Sequence, residues 1–260
     1  MSEGKIKSLD IAVPLFNEEE SVENLYVEIL PILKALNDQE IETRLLLLND
    51  GSSDKTLEKL NDCFSNVQNT KIINHKENQN LGGFLRTIQK QVESQFVVFL
   101  DSDCTFNPKL ILDMIKMNIE DVDVINGSPY HPLGVIDGVK PSRLIISKTA
   151  NNFYRKLVTK NVYTFTSIFK MYRSEKIKNI DIKFNDFVAV AELFIRTIKQ
   201  GSNVVDFPAT LSIRETGESK IRILQEFTRN VIVKLCASRI IFWTFPDFCD
   251  KNEMSVYEHN

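Results

Sequence analysis

Five short apolar runs in the first half of the 260-residue chain alternate with segments whose apolar residues recur at helical spacing. The runs predict β-strands at residues 9–13, 44–48, 71–73, 96–100 and 122–125. Strands that alternate with helices favour right-handed crossovers and parallel pairing. The sequence therefore predicts an α/β fold in which helices flank a mostly parallel sheet.

Local signals predict several boundaries of the other elements. Pro14 is expected to end the first strand, and the glutamates at 18–20 to open the first helix, because carboxylates stabilise the positive end of a helix dipole. Pro31 is expected to kink that helix or to mark an offset in its pattern. Further helices are predicted at residues 108–117, 141–158 and 187–200, and further strands at residues 169–172 and 204–208.

The composition excludes several classes of protein. The 32 basic and 35 acidic residues give a net charge of −3, which argues against general nucleic-acid binding. The four cysteines form no C-x-x-C pair and the three histidines show no zinc spacing, so a reduced, cytoplasmic protein without structural zinc is expected. No uncharged apolar run reaches about 18 residues, and no transmembrane helix is predicted.

The most informative polar motif is Asp101-Ser102-Asp103, which directly follows the apolar run 96–100. Carboxylate oxygens suit Mg²⁺ or Mn²⁺, which take further ligands from water and substrate phosphates. A simple Asp turn at the end of a strand is the alternative interpretation. Ligands of parallel sheets bind at the carboxyl ends of the strands, where Asn17, Asp50 and Asn80 also fall. The sequence thus predicts a cation and ligand site at this edge of the sheet.

The chain resembles the family 2 glycosyltransferases of the GT-A fold over about residues 9–222. This resemblance implies a Rossmann-like α/β fold with a mixed, mostly parallel sheet flanked by helices. Within that family it is most similar to the dolichol- or polyprenol-phosphate mannosyltransferase branch. The resemblance lies in segments 13–18 (VPLFNE), 49–54 (NDGSSD), 80–82 (NLG), 101–103 (DSD), 127–128 (GS), 142–147 (SRLIIS) and 214–220 (RETGESK).

The resemblance implies a role for each matching residue. It implies that Asp101 and Asp103 hold the metal and, with Arg214, act in catalysis. It implies nucleotide-sugar contacts for Pro14, Phe16, Asn17, Glu18, Asp50, Asn80, Asp101 and Ser102. It implies acceptor-phosphate contacts for Arg143, Arg214, Ser219 and Lys220, since Arg offers a bidentate fork to phosphate. Helix capping is the alternative role of Asn17, and the favoured role of Asp54.

The implied activity is the metal-dependent, inverting transfer of a hexose, mannose or glucose, from a GDP- or UDP-sugar to a polyprenyl or dolichyl phosphate. A phosphate acceptor is already anionic at neutral pH and needs no strong base. A saccharide hydroxyl acceptor, as in surface-glycan assembly, would need one, and Asp186 and Glu192 are the local candidates. A catalytically silent nucleotide-sugar-binding subunit is the third hypothesis.

Several residues depart from the pattern of this branch, so the identity of the acceptor is left undecided by the resemblance. Asn49 replaces a second Asp, Gly83 a Lys, Thr105 a Gln and Pro129 an Arg, and segment 163–169 lacks the expected Asp and Gly.

Residues 1–222 are expected to form the GT-A domain. Residues 223–260 are expected to form an amphipathic basic helix and a tail that pack on the same domain or on a membrane surface. The latter would give peripheral contact with the cytoplasmic face of a membrane, or with a membrane partner subunit.

Overall fold

A computed structural model describes residues 5–117, 120–139 and 141–212. The strands are β1 (Ser8–Leu15), β2 (Glu42–Asn49), β3 (Thr70–Asn74), β4 (Phe96–Phe99), β5 (Val124–Ser128), β6 (Val135–Ile136), β7 (Lys170–Arg173), β8 (Val204–Pro208) and β9 (Thr210–Leu211). The helices are α1 (Val22–Asn37), α2 (Thr56–Phe64), α3 (Asn80–Gln91), α4 (Leu110–Met114), α5 (Pro141–Leu157), α6 (Ser174–Ile177) and α7 (Val188–Lys199).

Within the described residues, the main sheet has seven strands in the order β3-β2-β1-β4-β7-β5-β8. Strand β7 runs antiparallel to both of its neighbours, β4 and β5, and the other pairs in this sheet are parallel. Strands β6 and β9 form a separate parallel pair. The predicted mixed, mostly parallel sheet is confirmed.

Two apolar layers cover the two faces of the sheet. Successive side chains of a strand point to opposite faces, and along β2 Leu45 and Leu47 join one layer while Leu46 and Leu48 join the other. Helices α1 and α2 supply the first layer, and α3 and α7 the second. Burial on both faces explains why the strands read as continuous apolar runs.

The prediction that Pro14 ends the first strand is wrong, because β1 continues to Leu15. The carbonyl of Ala12 accepts a hydrogen bond from the N–H of Leu100, so the backbone polar groups of Ala12 point toward β4. The backbone nitrogen of Pro14, two residues further on, points to the same side. Pairing with β4 ends at Ala12, so no ladder partner on that side requires the N–H that proline lacks.

The predicted start of the first helix is also wrong. The glutamates at 18–20 precede α1, whose N-cap is Ser21 and whose only first-turn acid is Glu23. The N–H of Ser21 donates to the carbonyl of Glu18, and its hydroxyl donates to the Glu18 carboxylate, both at 2.9 Å. These bonds form a tight turn before the helix.

Two further helix predictions are resolved by the structure. Helix α1 continues through Pro31, whose side chain is exposed. The helix expected at 108–117 is shorter and comprises only α4. Within the described part of the chain, no helix has the length and apolar character needed to cross a membrane.

Candidate functional site

The site is built where three parallel strands end side by side. Strand β1 lies between β2 and β4, with Leu15 opposite Asn49 and Ala12 opposite Phe99. Because parallel strands share one carboxyl edge, the segments that follow β1, β2 and β4 meet there. They carry most of the residues implied as nucleotide-sugar contacts, of which Pro14, Phe16, Asn17 and Glu18 are half-buried and Asp50 and Ser102 are buried.

Asn17 joins the loop after β1 to the loop after β2. It adopts a left-handed backbone conformation (φ 52°), which asparagine tolerates better than most residues. Its N–H donates to the hydroxyl of Ser52, and its side-chain oxygen accepts from the N–H of Ser53, both at 2.9 Å. Asn17 is thus not a cap of α1, and it holds the two loops together.

Glu18 and Asp54 complete this junction. The N–H of Glu18 donates to the hydroxyl of Thr56 at 2.8 Å, and the N–H of Glu19 donates to the Asp54 carboxylate at 3.3 Å. Asp54 also accepts from the N–H and hydroxyl of Thr56 at the start of α2. Burial would raise the pKa of Asp54, but these bonds outweigh it and lower the pKa. Asp54 therefore satisfies the helix start, although the N-cap position itself is Lys55.

Asp50 follows β2 and is paired with a histidine that the sequence did not indicate. Its carboxylate Oδ1 lies 2.6 Å from Nδ1 of His75 and accepts from the N–H of Gln79 at 3.0 Å. The other ring nitrogen of His75 lies 2.9 Å from the hydroxyl of Thr87 in α3. Both side chains of the Asp50–His75 pair are largely buried.

Asn80 opens α3 beside this pair, with a left-handed backbone (φ 57°) and an exposed side chain. The helix start is held by Gly82, whose N–H donates to the carbonyl of Asn185 at 2.7 Å. A Cβ at Gly82 would lie 2.1 Å from the carbonyl oxygen of Phe184, so only glycine permits this approach. The Asn-Leu-Gly segment therefore packs the start of α3 against the loop before α7.

Asp101 and Asp103 lie at the end of β4 in a tight turn. The N–H of Cys104, itself left-handed (φ 52°), donates to the carbonyl of Asp101, and the N–H of Thr105 donates to the Asp103 carboxylate at 3.2 Å. Burial is the main cause that raises the pKa of Asp101 to about 8, and the negative charge of Asp103 is the second. A buried carboxylate whose charge is disfavoured by a neighbouring carboxylate forms with that neighbour a site that a cation would stabilise.

The donor set fits a hard divalent ion with an incomplete protein shell. Carboxylate oxygens are the ligands that Mg²⁺ and Mn²⁺ prefer. No third His, Cys, Asp or Glu joins the pair among the residues that the structure describes. Such an ion would take its remaining ligands from water and from the phosphates of a bound nucleotide.

Lys170 is a buried cation next to this turn that the sequence analysis did not single out. Lys170 lies in β7 and pairs with Phe99 of β4, which precedes Asp101 by two residues. The side chain of Lys170 is fully buried. Its ammonium donates to the carbonyls of Phe165 and Ser167, and lies 4.9 Å from the ring centroid of Phe194. Burial lowers the pKa of Lys170 to about 7, against the opposing charges of Asp206 and Asp101.

Lys170 belongs to a polar network that holds segment 163–169. Asp206 of β8 accepts from the N–H of Tyr163 at 2.7 Å and from the amide of Asn126 at 2.6 Å. The Asn126 amide also donates to the carbonyl of Thr164 at 3.0 Å. Segment 163–169, which departs from the branch pattern, is thus fixed by polar groups of three strands, of which Asn126 and Lys170 are buried and Asp206 is half-buried.

Of the residues implied as acceptor contacts, the structure describes only the position of Arg143 in the fold. Arg143 lies in the first turn of α5, while Arg214, Ser219 and Lys220 fall outside the described residues. Glu192 accepts from the N–H groups of Lys183 and Phe184 at 2.9 Å and pairs with the guanidinium of Arg196. Asp186 accepts from the N–H of Val188 at the start of α7. Glu192 is therefore a structural carboxylate.

Comparison with known proteins assigns this arrangement to a family. The profile described as "Glycosyl transferase family 2" matches residues 10–181, from within β1 to the loop after α6. The match covers more than half of the chain, and the chain belongs to glycosyl transferase family 2.

Two curated relatives are similar to most of this chain. The chain is 26% identical to a dolichol-phosphate mannosyltransferase of Pyrococcus furiosus over 227 residues, which cover 86% of this chain but only 62% of that protein. It is 25% identical to a polyprenol monophosphomannose synthase of Mycolicibacterium smegmatis over 219 residues, which cover 81% of this chain and 80% of that protein. The predicted similarity to this branch is confirmed.

Solved structures share the fold. A glucosyl-3-phosphoglycerate synthase of Mycobacterium tuberculosis in complex with Mn²⁺, UDP and phosphoglyceric acid matches with a TM-score of 0.67 and 17% identity, over 94% of this chain and 80% of that chain. The same enzyme in complex with Mg²⁺ and UDP matches with a TM-score of 0.65 and 16% identity, over 89% and 79% of the two chains. At this identity the likeness establishes the fold alone, and the predicted GT-A fold is confirmed.

Proposed function

We propose that the chain is a metal-dependent, inverting glycosyltransferase that moves a hexose, mannose or glucose, from a GDP- or UDP-sugar to a polyprenyl or dolichyl phosphate. The observation that carries the proposal is the Asp101–Asp103 pair at the end of β4, on the edge of the sheet where Asn17 and Asp50 also lie.

The donor half of the proposal rests on the chemistry of this edge. A divalent cation held by Asp101 and Asp103 would neutralise the negative charge that develops on the departing nucleoside diphosphate. Asp50 would accept a hydrogen bond from an N–H of the nucleobase, and Pro14, Phe16, Asn17, Glu18, Asn80 and Ser102 would line the donor site. The fold neighbours that hold UDP with Mn²⁺ or Mg²⁺ are consistent with this donor class.

The acceptor half rests on the relatives and on the state of Glu192. One relative is named a dolichol-phosphate mannosyltransferase and another a polyprenol monophosphomannose synthase. Glu192, a candidate base for a hydroxyl acceptor, is fully buried and held by Lys183, Phe184 and Arg196. A phosphate acceptor needs no such base, because the second pKa of a phosphate monoester is about 6.

The proposed reaction is a single displacement. An oxygen of the acceptor phosphate forms a bond to the anomeric carbon while the bond from that carbon to the nucleoside diphosphate breaks, which inverts the configuration. Arg143, Arg214, Ser219 and Lys220 would hold the acceptor phosphate, since guanidinium and ammonium groups bind phosphate oxygens strongly. No proton needs to move at the acceptor.

We also propose a location for this reaction. Residues 1–222 would form the catalytic domain, and the basic amphipathic segment within 223–260 would bring it to the cytoplasmic face of a membrane where a lipid phosphate is accessible. Binding of the chain to vesicles with and without anionic lipid, compared with a chain ending at 222, tests this part separately.

Nucleotide-dependent thermal stabilisation tests the donor half. UDP, GDP, ADP and CDP are each added with and without Mn²⁺, and the unfolding temperature is recorded. A ligand at a hundredfold excess over its Kd stabilises the folded state by about 2.7 kcal/mol. Stabilisation by UDP or GDP that requires Mn²⁺ is the expected result. No response to any nucleotide would contradict the donor class, and a response without turnover would favour a silent nucleotide-sugar-binding subunit.

An acceptor screen tests the other half. Labelled GDP-mannose or UDP-glucose is incubated with polyprenyl phosphate, with the matching polyprenol, and with a set of saccharides. Transfer to the phosphate alone is expected. Transfer to a saccharide hydroxyl would instead support the second candidate, a glycan-assembling enzyme, which Pro129 in place of the arginine of the branch favours.

A further inference from the structure

Asp50 and His75 form a buried, hydrogen-bonded pair of side chains. Asp50 follows β2 and His75 follows β3, and their side chains keep only 6% and 9% of their exposure. Each backbone is also anchored to the neighbouring strand: the N–H of His75 donates to the carbonyl of Asn49 at the end of β2 at 2.9 Å, and the N–H of Asp50 donates to the carbonyl of Leu15 at the end of β1 at 2.8 Å. The pair is therefore held rigidly at the ends of neighbouring strands.

Both described hydrogen bonds to the Asp50 carboxylate fall on the same oxygen. Nδ1 of His75 lies 2.6 Å from Oδ1, and the N–H of Gln79 donates to Oδ1 at 3.0 Å. An ionised carboxylate only accepts hydrogen bonds, so Nδ1 carries the proton. Two donors on one oxygen fix the rotation of the carboxylate and leave the acceptor capacity of Oδ2.

Thr87 fixes the other side of the imidazole ring. Its hydroxyl lies 2.9 Å from Nε2 of His75, and it can donate to Nε2 in the neutral ring or accept from it in the protonated ring. Both charge states of His75 therefore keep the Nδ1–H bond to Asp50. The hydrogen bonds from Thr87 through His75 to Asp50 link α3 to the segments that follow β3 and β2.

We infer that His75 is a positioning residue for the donor: with the N–H of Gln79 it holds Asp50 Oδ1, so that Oδ2 is presented to an N–H of the nucleobase. The inference rests on the proposed function, because it takes Asp50 as a nucleotide contact. His75 acts through Asp50, so it is expected to govern the affinity for the nucleotide and the donor KM, with little effect on kcat once the site is saturated.

Two substitutions at position 75 separate the two ring nitrogens. The amide nitrogen of His75→Asn can occupy the place of Nδ1 and keep the bond to Asp50, whereas that of His75→Gln lies at the place of Nε2 and cannot. Thr87→Val removes the hydroxyl that orients the ring. Thr70→Val on β3 is the matched control, because the buried Thr70 hydroxyl has no hydrogen-bond partner among the residues that the structure describes.

The test is calorimetric titration of each variant with UDP and with GDP in Mn²⁺, together with donor KM and kcat. For the nucleotide that binds the unchanged chain, His75→Gln is expected to raise Kd about tenfold and Thr87→Val about threefold. His75→Asn and Thr70→Val are expected to stay within about twofold of the unchanged chain. Donor KM should follow Kd, with kcat changed by less than about twofold.

Each other outcome overturns a defined statement. Nucleotide affinity unchanged in both His75→Gln and Thr87→Val overturns the role of His75 and leaves the proposed function intact. Equal loss in His75→Asn and His75→Gln overturns the Nδ1–H bond as the cause. No binding of UDP or GDP to the unchanged chain overturns the proposed function, and this inference with it. If His75→Gln does not fold, Thr87→Val against Thr70→Val decides.

Discussion

The side-chain oxygen of Asn17 accepts a hydrogen bond from the backbone N–H of Ser53 at 2.9 Å, across 36 positions of sequence. The reverse link is made by the hydroxyl of Ser52, which accepts from the N–H of Asn17. The loops after β1 and β2 are therefore locked together at the edge of the sheet where the donor is proposed to bind.

We expect Asn17→Ala to destabilise the fold and to weaken nucleotide binding. Loss of the bond to Ser53, with a left-handed alanine, should lower the free energy of unfolding by about 1–2 kcal/mol. Looser loops should raise the Kd of UDP or GDP severalfold. Urea unfolding and calorimetry measure the two effects.

Asn69→Ala is the matched control, because Asn69 is also left-handed (φ 58°) but lies in an exposed turn before β3. It should reproduce the backbone cost and leave nucleotide affinity unchanged. Equal effects of the two substitutions on both quantities would show that the Asn17 side chain contributes nothing.

Asp103→Asn should separate stability from ligand binding. Burial and the charge of Asp103 raise the pKa of Asp101 to about 8, so removal of that charge relieves repulsion in the metal-free protein. Its free energy of unfolding at pH 8 should stay unchanged or rise by up to about 1 kcal/mol. Stabilisation by Mn²⁺ with nucleotide should be lost, because one of the two carboxylate ligands is gone.

Asp113→Asn provides the comparison, since Asp113 is an exposed acid paired with Lys116 on the surface. This variant should keep the Mn²⁺-dependent thermal shift. A metal-dependent shift that survives in Asp103→Asn would rule out the carboxylate pair as the cation site.

Asp10 supports the opposite end of the same sheet. Its fully buried carboxylate accepts from the guanidinium of Arg44 at 2.8 Å, from the N–H groups of Glu93 and Ser94, and from the Ser94 hydroxyl at 2.6 Å. Burial alone would raise the pKa of Asp10, but these bonds outweigh it and hold the pKa below its ordinary value. Asp10→Asn should therefore cost about 2–4 kcal/mol of stability.

The pH dependence of this contribution has a defined sign. Because the folded pKa is lowered, the unfolded chain takes up the proton first, and the stability from Asp10 is lost as the pH falls below about 4. Acid titration of chemical stability should show a steeper decline in the unchanged chain than in Asp10→Asn. Parallel acid profiles would contradict the assignment.

Much of the fold could be predicted from the sequence because the strands are buried on both faces. Strand β8 matches the predicted residues 204–208, and the runs at 44–48 and 71–73 lie within β2 and β3. The antiparallel direction of β7 was not predicted, since a strand pattern carries no direction. Strands β6 and β9 have two residues each, too few for any periodicity.

Some residues of the candidate site could likewise be located from the sequence, and others could not. Asp50, Asp101 and Asp103 could be located because polar residues that follow apolar strands must lie at one edge of a parallel sheet. His75 was noted only for its lack of zinc spacing, because its bond to Asp50 depends on the pairing of β2 with β3. The only sequence feature that indicates Lys170 is that a lysine stands within an apolar strand. Its hydrogen-bond partners, Phe165 and Ser167, lie in a loop whose sequence shows no regular pattern.

Lys170→Met should change stability in a way that depends on pH. Burial lowers the pKa of Lys170 to about 7, so between about pH 7 and pH 10 the unfolded chain holds a proton that the folded chain has released. The free energy of unfolding of the unchanged chain should therefore rise over this window relative to Lys170→Met. Lys71→Met, on the exposed edge strand β3, should retain the rise.

The same substitution should loosen segment 163–169, because the carbonyls of Phe165 and Ser167 lose their buried donor. Amide exchange in this segment should accelerate at least about tenfold, while β1 and β2 keep their protection. Retained protection of the segment in Lys170→Met would show that Asn126 and Asp206 hold it without the lysine. A stability difference that does not change between pH 7 and 10 would show that the ammonium stays charged in the folded protein.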